Sequence, residues 1–296
     1  MLALTGGSGF IGRRFADVAR TQGFRVRHLT RSDRDVNVAD EIYSLDLRHG
    51  PIQAAALADC DAVIHLAAHI PRDHADPAEA ERCWQVNALG TLRLAEAAVR
   101  AGIGHFVHTT SANAYAMWEE TSADTGAMLP SSRGYYLGSK IMQELYAEEI
   151  CRPAHLPLAT IRLGSVYGPG QATGAVAVLT TAIANGRPVT LQNGGRFGAD
   201  FVHVDDVVTA LMLVIGQHAE GPFNVGSGVR TTIGGLAQIL VALTSQDAAL
   251  IRLEAKSGDR DSGFSALSIA RIRALGYVPR NISAGLSSMV EHSRIT

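Results

Sequence analysis

Cysteine and charge are both scarce in this chain of 296 residues. The only cysteines are Cys60, Cys83 and Cys151, which are odd in number, widely spaced and never in a C-x-x-C pair. This pattern argues against a disulfide framework and against a structural zinc site, and it favours a reducing compartment. Charged residues make up 18% of the chain and the formal net charge is −2, so no basic surface for a nucleic acid is expected.

Long apolar runs are also missing. The longest candidate, about Val207 to Ile215, falls well short of the roughly 18 residues that a membrane helix needs. The first apolar run starts at residue 2 and enters a glycine turn at Gly6, which leaves no room for a cleavable signal segment. We therefore expect a cytoplasmic protein that acts on a small molecule, with neither a membrane nor a nucleic acid as its partner.

What the chain does contain is an alternation of short apolar runs with helix-length stretches. The runs are Leu2–Thr5, Arg25–Thr30, Ile42–Leu45, Ala62–Ala67, His105–Thr109 and Leu158–Leu163. Strands that are apolar on both faces belong in a parallel sheet covered by helices, so the pattern predicts an α/β fold with a doubly wound parallel sheet of the Rossmann type.

The rhythm changes past Gly164, where glycine-rich turns interrupt shorter helical segments such as Ile233–Leu243 and Ser265–Leu275. This change predicts a smaller C-terminal domain. We expect residues 1–163 to form the first domain, with about 197–215 returning to it, and residues 164–296 to form most of the second.

A glycine turn lies directly between the first strand and the first helix. Gly6, Gly9 and Gly12 are spaced G-x-x-G-x-x-G, and Gly7 also completes a G-x-G-x-x-G pattern. Glycines permit the tight turn and the close approach of a pyrophosphate, while the start of the helix offers unpaired N–H groups. The predicted cradle for the pyrophosphate of NAD or NADP consists of Gly6, Gly9, Phe10, Ile11 and Gly12.

The end of the second strand bears on the choice between the two cofactors. An acidic residue there selects NAD, whereas a nearby arginine accommodates the additional phosphate of NADP. Here the chain reads Thr30, Arg31, Ser32, and Arg31 and Ser32 are able to bind a phosphate through charge-assisted hydrogen bonds. NADP is therefore favoured over NAD; the alternative is that Arg31 is solvated or stacks on the adenine of NAD.

An ordered series of motifs follows the glycine turn. Its members are Asp46-Leu47, the strand ending Leu66-Ala67-Ala68, Asn87, Ser111, Tyr136-x-x-x-Lys140, Tyr167-Gly168-Pro169-Gly170 and the run from Asp200 to Asp206. With the glycine turn, this series resembles the extended short-chain dehydrogenase/reductases, the NAD-dependent epimerase/dehydratase family. The resemblance spans nearly the whole chain, and it implies that the C-terminal domain binds the substrate.

The resemblance also implies a set of cofactor contacts. Asp46 would hydrogen-bond the adenine, with Leu47 beside it, and Asn87 would support the active site. Leu66, Ala67 and Ala68 would line the cofactor, and Leu163 and Val166 would pack near the nicotinamide. Simpler alternatives exist, because an aspartate such as Asp46 can cap a turn and an asparagine such as Asn87 can be a helix N-cap.

Tyr136 and Lys140 are four residues apart on a predicted helix, so their side chains rise from the same face. A cation about 4 Å from a phenol contributes about 4 kcal/mol at an effective dielectric constant of 20. That is enough to lower the pKa of a tyrosine from about 10 to near 7, so we expect Lys140, aided by the positive nicotinamide ring of the oxidised cofactor, to make Tyr136 a base. By resemblance, Ser111 would hold the substrate oxygen, and Lys140 would also bind the ribose of the nicotinamide.

Several positions depart from the family pattern and bear on the reaction. Dehydratases of this family usually follow the serine or threonine with an Asp-Glu pair, but Ala112 and Asn113 follow Ser111 here. Dehydration is therefore disfavoured. Nucleotide-sugar enzymes usually carry an arginine where this chain has Ala199, and they often carry an asparagine where it has Ser165.

Other polar residues are candidates for the substrate pocket. Arg196 and Arg260 would replace the missing positive charge, unless they are merely solvated. His69 follows the fourth strand, at the edge where ligands of open α/β sheets bind. No cysteine or glutamate completes a ligand set with His65, His69 and His74, so no metal site is predicted. The candidate substrate contacts are His69, Asn113, Ser165, Arg196 and Arg260.

Two classes of function remain open. The leading hypothesis is an NAD(P)-dependent enzyme that transfers hydride at an alcohol or carbonyl carbon of a sugar-like substrate, either as a ketoreductase, which the NADP signal favours, or as a nucleotide-sugar C4 epimerase with tightly bound NAD. The alternative is a non-catalytic sensor or scaffold that binds the dinucleotide. The resemblance further implies a homodimer formed through the helices that follow Asn87 and contain Tyr136.

Overall fold

The computed structural model describes residues 1–31, 40–116, 121–130, 132–254 and 263–294. The strands in these ranges are β1 (Leu2–Thr5), β2 (Val26–Thr30), β3 (Glu41–Ser44), β4 (Ala62–His65), β5 (His105–Ser111), β6 (Thr121–Ser122), β7 (Leu158–Leu163), β8 (Ser165–Tyr167), β9 (Val189–Leu191), β10 (Gly198–His203), β11 (Gly221–Val225), β12 (Arg230–Thr232), β13 (Ile251–Leu253) and β14 (Ala266–Leu267). The helices are α1 (Phe10–Thr21), α2 (Ala78–Cys83), α3 (Gly90–Ala101), α4 (Gly134–Cys151), α5 (Ala175–Ala184), α6 (Val204–Gly216), α7 (Ile233–Thr244), α8 (Ala270–Ala274) and α9 (Ile282–Ser293).

Seven parallel strands form the main sheet, in the order β11-β7-β5-β4-β1-β2-β3. The chain moves in one direction from β1 to β2 and β3, and then in the other from β4 outwards. This reversal makes the carboxyl ends of β1 and β4 the topological switch point, where open α/β sheets bind their ligands. The predicted doubly wound Rossmann sheet is confirmed.

Alternation along the strands explains how helices cover both faces of this sheet. On β1, Leu2 and Leu4 pack into one core with Phe15 of α1 and Leu211 of α6. Ala3 belongs to a second core, together with Leu94 of α3. Because successive side chains of a strand point to opposite faces, a run that is apolar throughout is buried between two helical layers.

The second half of the chain builds a separate core and smaller sheets. Strands β12, β10 and β8 form a three-stranded sheet, and Phe201 of β10 packs with Ile183 of α5, Leu236 of α7 and Leu286 of α9. Two segments nevertheless return to the main layer, because α6 packs against α1 and β11 pairs with β7. The division into two domains at residue 163 stays a prediction.

One predicted helix is wrong in its first half. Residues 265–275 have a helical pattern in the sequence, but Ala266–Leu267 form the strand β14, paired with β6, and α8 begins only at Ala270. The N–H of Leu267 donates to the carboxylate of Asp200, 3.1 Å away, so this segment is held by contacts with distant strands. In the ranges given above, no helix is both long and apolar enough to span a bilayer.

Candidate active site

The glycine turn after β1 has the geometry that its spacing predicts. Gly6 has a positive φ of +73°, and its carbonyl accepts a hydrogen bond from the N–H of Gly9 at 2.9 Å. A Cβ atom at Gly12 would lie 2.1 Å from the carbonyl oxygen of Gly6. Any side chain at this position would therefore push α1 away from the turn.

The start of α1 suits an anion. Its N-cap is Gly9, no side chain caps it, and its first turn carries no acidic residue. By contrast, α6 is capped by the side chain of His203 and carries Asp205 and Asp206 in its first turn. The N–H groups at the start of α1 are thus left for a negatively charged group such as a pyrophosphate, and these residues fit a dinucleotide.

The ends of β1 and β4 meet beside this turn. A Cβ atom on Gly6 would lie 2.6 Å from the backbone nitrogen of Ala67, so only glycine allows the two segments to approach so closely. Leu66 and Ala67 are half-buried, and Ala68 is exposed. Three predicted cofactor residues therefore lie next to the predicted pyrophosphate cradle.

The predicted adenosine contacts lie at the other side of the turn. Asp46 accepts from Arg48 through both carboxylate oxygens, at 3.0 Å from Nε and 2.6 Å from Nη2, and these hydrogen bonds hold its pKa at about 2. Leu47 is buried, and Arg31 at the end of β2 is exposed. Ser32, the other predicted phosphate contact, lies outside the described residues.

Asn87 joins two parts of the site. Its Oδ1 accepts from the backbone N–H of His69 at 2.7 Å, while its Nδ2 donates to the carbonyl of His69 at 3.0 Å and to Oγ of Ser139 on α4 at 2.9 Å. It lies inside a π-helical turn, Trp84–Leu89, so the reading of Asn87 as a helix N-cap is wrong. Such turns occur frequently at functional sites.

The histidines after β4 have separate surroundings. His65 is fully buried between the hydroxyls of Thr5 and Thr91, at 2.6 and 2.8 Å, and burial lowers its pKa to about 3. His69 forms a hydrogen bond with Glu79. His74 lies edge-on to Tyr136, with 6.1 Å between the ring centroids, so this histidine belongs to the surroundings of the predicted catalytic tyrosine.

Ser111, Tyr136 and Lys140 occupy two neighbouring elements. Ser111 is the last residue of β5 and pairs with Leu163 of β7. Tyr136 and Lys140 lie one turn apart on α4, and Nζ of Lys140 donates to the carbonyl of Thr109 at 2.9 Å. Thr109 lies two residues before Ser111, so the lysine is anchored to the strand that carries the serine.

Burial shifts the pKa values of Tyr136 and Lys140 in opposite directions. It raises the pKa of Tyr136 to about 12 and lowers the pKa of Lys140 to about 7. Burial thus opposes the change expected at Tyr136, and a tyrosine pKa near 7 with the nicotinamide ring bound stays a prediction. Desolvation of the buried phenolate is the largest influence on Tyr136, while the positive charge of Arg133 acts in the opposite direction.

The start of α4 is more open than its middle. Arg133 has a left-handed backbone with φ of 55°, and its guanidinium lies over the ring of Phe264 at 5.5 Å. Near it, Nδ1 of His74 is buried and has no hydrogen-bond partner among the described residues. We call Arg133, Tyr136 and His74 the cleft end of α4.

A buried ionic network follows Lys140 on the same helix. Arg162 of β7 donates from Nη2 to Glu144 at 2.6 Å and from Nη1 to the hydroxyl of Tyr115 at 2.8 Å, while the hydroxyl of Thr110 donates to Glu144 at 2.5 Å. Sequence analysis missed these residues. The signal was available in Glu144, a carboxylate four residues after Lys140 and therefore on the same helical face.

The predicted substrate contacts are more scattered. Asn113 is half-buried in a 3-10 turn directly after Ser111, and Ser165 begins β8. Arg196 is half-buried just before β10, whereas Ala199, inside that strand, is fully buried. Arg260 lies outside the described residues. Ala199 thus belongs to the core of the second half.

Comparison with known proteins gives this fold a family. Residues 2–226 match the model of the NAD dependent epimerase/dehydratase family. A UDP-glucose 4-epimerase of Mycolicibacterium smegmatis is 31% identical, over 77% of this chain and 78% of that protein. The structure of the Thermotoga maritima UDP-glucose 4-epimerase with UDP-glucose matches with a TM-score of 0.85 and 26% identity, over 99% of this chain and 98% of that chain.

A dTDP-glucose 4,6-dehydratase of Streptomyces venezuelae, solved with NAD, matches equally well. Its TM-score is 0.85 and its identity 26%, over 100% of this chain and 97% of that chain. Its presence beside the epimerases shows that the shared fold and glycine turn do not by themselves separate the two reactions. The match of the family model over most of the chain, together with the fold, establishes that the chain belongs to the NAD-dependent epimerase/dehydratase family and is an enzyme that uses a nicotinamide dinucleotide.

Proposed function

We propose that this enzyme is a nucleotide-sugar epimerase that oxidises one alcohol carbon of its substrate and reduces it again from the other face. The observation that carries the proposal is the placement of Tyr136 and Lys140 on one turn of α4, with Lys140 bonded to the strand that ends in Ser111. The relatives named above support a 4-epimerase in particular, because two of them are UDP-glucose 4-epimerases.

The side chains have distinct roles in this proposal. Ser111 donates a hydrogen bond to the substrate oxygen, and Tyr136 exchanges a proton with it. Because burial raises the pKa of Tyr136 to about 12, the tyrosine as found is protonated and set to donate to an alkoxide. Only the phenolate form accepts a proton, and this form requires positive charge near its oxygen. In this proposal, Lys140 and Arg133 supply that charge. The bound dinucleotide supplies the hydride acceptor and donor.

We do not expect dehydration. Elimination of water requires an acid and a base beside the reacting carbons, and the two residues after Ser111 are Ala112 and Asn113, neither of which carries a carboxyl group. Asn113 is instead proposed as a hydrogen-bonding contact to the sugar, together with His69, Ser165 and Arg196. Arg133 adds a positive charge at the cleft that sequence analysis did not single out.

A ketoreductase that consumes NADPH is the second candidate. The observation that favours it is Arg31, which is exposed directly after β2. The strand ends in Thr30 and not in an acidic residue, and this arrangement is the one expected to bind the additional phosphate of NADP. An epimerase regenerates its dinucleotide in each cycle and needs no external supply of NADPH. The cofactor that the purified enzyme retains therefore separates the two candidates.

The test combines cofactor identification with turnover. We would release the retained dinucleotide, identify it by mass spectrometry, and then incubate the enzyme with UDP-glucose and dTDP-glucose while following the proton at C4 by NMR. We expect bound NAD and an inverted C4 centre without added cofactor. Turnover that requires stoichiometric NADPH would refute the epimerase proposal and support the reductase. Loss of water at C5 and C6 would show that the enzyme is a dehydratase.

Adjacent tyrosines provide a matched control. Tyr136→Phe removes the predicted proton donor, whereas Tyr135→Phe makes the same change on the neighbouring side chain, which is 40% exposed. We expect the first variant to lose at least about 100-fold in kcat and the second to stay within about twofold. Equal activities of the two variants would refute the role of Tyr136 and leave a non-catalytic dinucleotide-binding protein as the better reading.

We also propose a homodimer through α3 and α4. Val99 on α3 and Leu145 on α4 are large apolar side chains that are 36% and 49% exposed, and the two helices pack against each other. Burial of such a paired surface in a symmetric interface is the common route to a dimer. Light scattering during size-exclusion chromatography measures the mass directly, and Leu145→Glu is expected to yield a monomer.

A further inference from the structure

Gln143 is a fully buried amide in contact with Lys140. It lies one turn further along α4, and its Oε1 accepts from Nζ of Lys140 at 2.5 Å. Its Nε2 donates to Nδ1 of His108 at 3.0 Å and to the carbonyl of Thr109 at 3.2 Å. The amide therefore connects the predicted catalytic lysine to the interior of the main sheet.

The chemistry of these groups determines every hydrogen-bond direction. A lysine ammonium only donates, so the amide atom facing it is the oxygen, and the atom facing His108 is the nitrogen. Nδ1 of His108 must then accept, which leaves the imidazole proton on Nε2, where it is donated to Oγ of Thr160 at 2.7 Å. Burial lowers the pKa of His108 well below its usual value, in agreement with a neutral ring.

The series of hydrogen bonds from Lys140 through Gln143 and His108 to Thr160 restricts the orientation of the lysine ammonium group. A protonated lysine has three N–H bonds in a tetrahedral arrangement. Two of them are directed to the carbonyl of Thr109 and to Gln143, so the direction of the third is set by geometry. Because Gln143 can neither rotate nor exchange its two amide atoms without losing the bond to His108, it holds Lys140 in one orientation.

We propose that Gln143 is a positioning residue that holds the Lys140 ammonium with its remaining N–H directed into the cleft, and that His108 fixes the orientation of the Gln143 amide. This inference rests on the proposed function, which makes Lys140 the partner of Tyr136. The competing explanation is that Gln143 only satisfies buried polar groups and has no effect on the reaction.

The two explanations differ in how they affect titration. The charged and titratable groups that act on Lys140 are Glu144 on α4, Cys83 at the end of α2, His65 on β4 and His108 on β5; Tyr136 lies one turn before Lys140 on α4. Gln143, like the carbonyl of Thr109, is a neutral group that accepts a hydrogen bond from the charged form of Lys140. Its removal therefore lowers the pH at which Lys140 loses its proton.

The experiment uses Gln143→Met, which retains the length of the side chain and removes the acceptor, and Gln143→Glu, which retains the acceptor and adds a negative charge. We expect Gln143→Met to lower kcat about tenfold with KM within about twofold, and to move the alkaline limit of the kcat–pH profile down by about one pH unit. Gln143→Glu is expected to move that limit upwards. An unchanged limit in both variants would refute the proposal.

A second measurement does not depend on turnover. NMR titration of the Lys140 side chain in the full-length protein, assigned with Lys140→Met, reports the midpoint directly and so still tests the proposal if no sugar substrate is turned over. Should Gln143→Met fail to fold, His108→Phe removes the support of the amide together with the bond to Thr160, and it is expected to shift the midpoint in the same direction by a smaller amount.

Thr160→Val is the matched control. It breaks the hydrogen bond that is farthest from Lys140, between Oγ of Thr160 and Nε2 of His108. The hydrogen bonds of the Gln143 amide to Lys140 and His108 remain. We expect this variant to lose stability without a change in the Lys140 midpoint. A shift as large as that of Gln143→Met would show that any disturbance of this core moves the titration, and would overturn the specific role of Gln143.

Discussion

The middle of α4 and its amino-terminal end differ in how completely their polar groups are hydrogen-bonded. In the middle of the helix, Lys140, Gln143 and Glu144 are buried, and hydrogen bonds join each of them to β5 or β7. We call these three residues the buried face of α4. At the cleft end, by contrast, Tyr136 and His74 meet by ring contact, and Nδ1 of His74 is left without a partner among the described residues.

This difference suits a site in which the buried face of α4 has a fixed geometry and the cleft end adapts to a ligand. Groups with saturated hydrogen bonds hold a single geometry, as a preorganised reaction centre requires. The unpaired nitrogen of His74 favours a ligand that supplies the missing hydrogen-bond partner. Substitutions in the two regions of α4 are therefore expected to have different effects.

Lys140→Met should have the largest effect on activity. In the proposed mechanism it removes the cation that stabilises the phenolate of Tyr136, and the loss in kcat is expected to be about 1,000-fold, within the range of general acid–base contributions. Steady-state kinetics on the substrate identified above measures it, with Tyr135→Phe as the control and circular dichroism to verify folding. Activity within tenfold of the wild type would contradict the assignment.

Glu144→Gln should have the largest effect on stability. The carboxylate is paired with Arg162 in the interior, and loss of one partner leaves a buried charge uncompensated, which costs about 3–5 kcal/mol. Urea unfolding measures the change. Glu148→Gln, on the same helix but 57% exposed in its side chain, is expected to cost less than about 1 kcal/mol; similar losses in the two variants would show that the buried pair is not special.

The titration of Lys140 should appear in the pH dependence of stability. Its pKa is lowered from 10.5 to about 7 in the folded protein, so between these values the unfolded chain binds more protons than the folded one. Stability therefore increases as the pH rises through this window, by at most about 1.4 kcal/mol per pH unit. Urea unfolding at pH 7, 8 and 9 should show this slope in the wild type and not in Lys140→Met; parallel curves would refute it.

His74→Phe should have the smallest effect on stability. Because Nδ1 of His74 makes no hydrogen bond within the described residues, an aromatic ring of similar size is expected to change the unfolding free energy by no more than about 0.5 kcal/mol. KM is expected to rise severalfold because the cleft loses a polar contact. A large loss of stability with an unchanged KM would place His74 with the buried face and not with the cleft end.

The parts of the fold that could be predicted are those determined by local periodicity. The apolar runs identified six strands of the main sheet, and the spacing of Gly6, Gly9 and Gly12 identified the turn. The same periodicity failed at residues 265–275. There the N–H of Leu267 is hydrogen-bonded to Asp200 of β10, which lies 67 positions earlier in the chain. Contacts that join residues far apart in the chain leave no periodic signal in a single sequence.

The site shows the same limit. Tyr136 and Lys140 were recognisable because their spacing is local and their order after Ser111 is distinctive. The contact of Gln143 with His108 spans 35 positions, and the direction of the pKa change at Tyr136 depends on burial, which is a property of the folded protein. Residue identity thus gave the candidate catalytic groups, whose roles stay predictions, and only the packing could show which groups surround them.

The position of β11 at the edge of the main sheet has a consequence for synthesis on the ribosome. Residues 221–225 pair with β7, whose own residues end at position 163, so about 60 further residues must emerge before that edge is covered. Until then β7 presents an unpaired, apolar strand, which is a template for intermolecular pairing. A fragment truncated near residue 163 is therefore expected to aggregate, although it contains the whole glycine turn and the predicted catalytic residues.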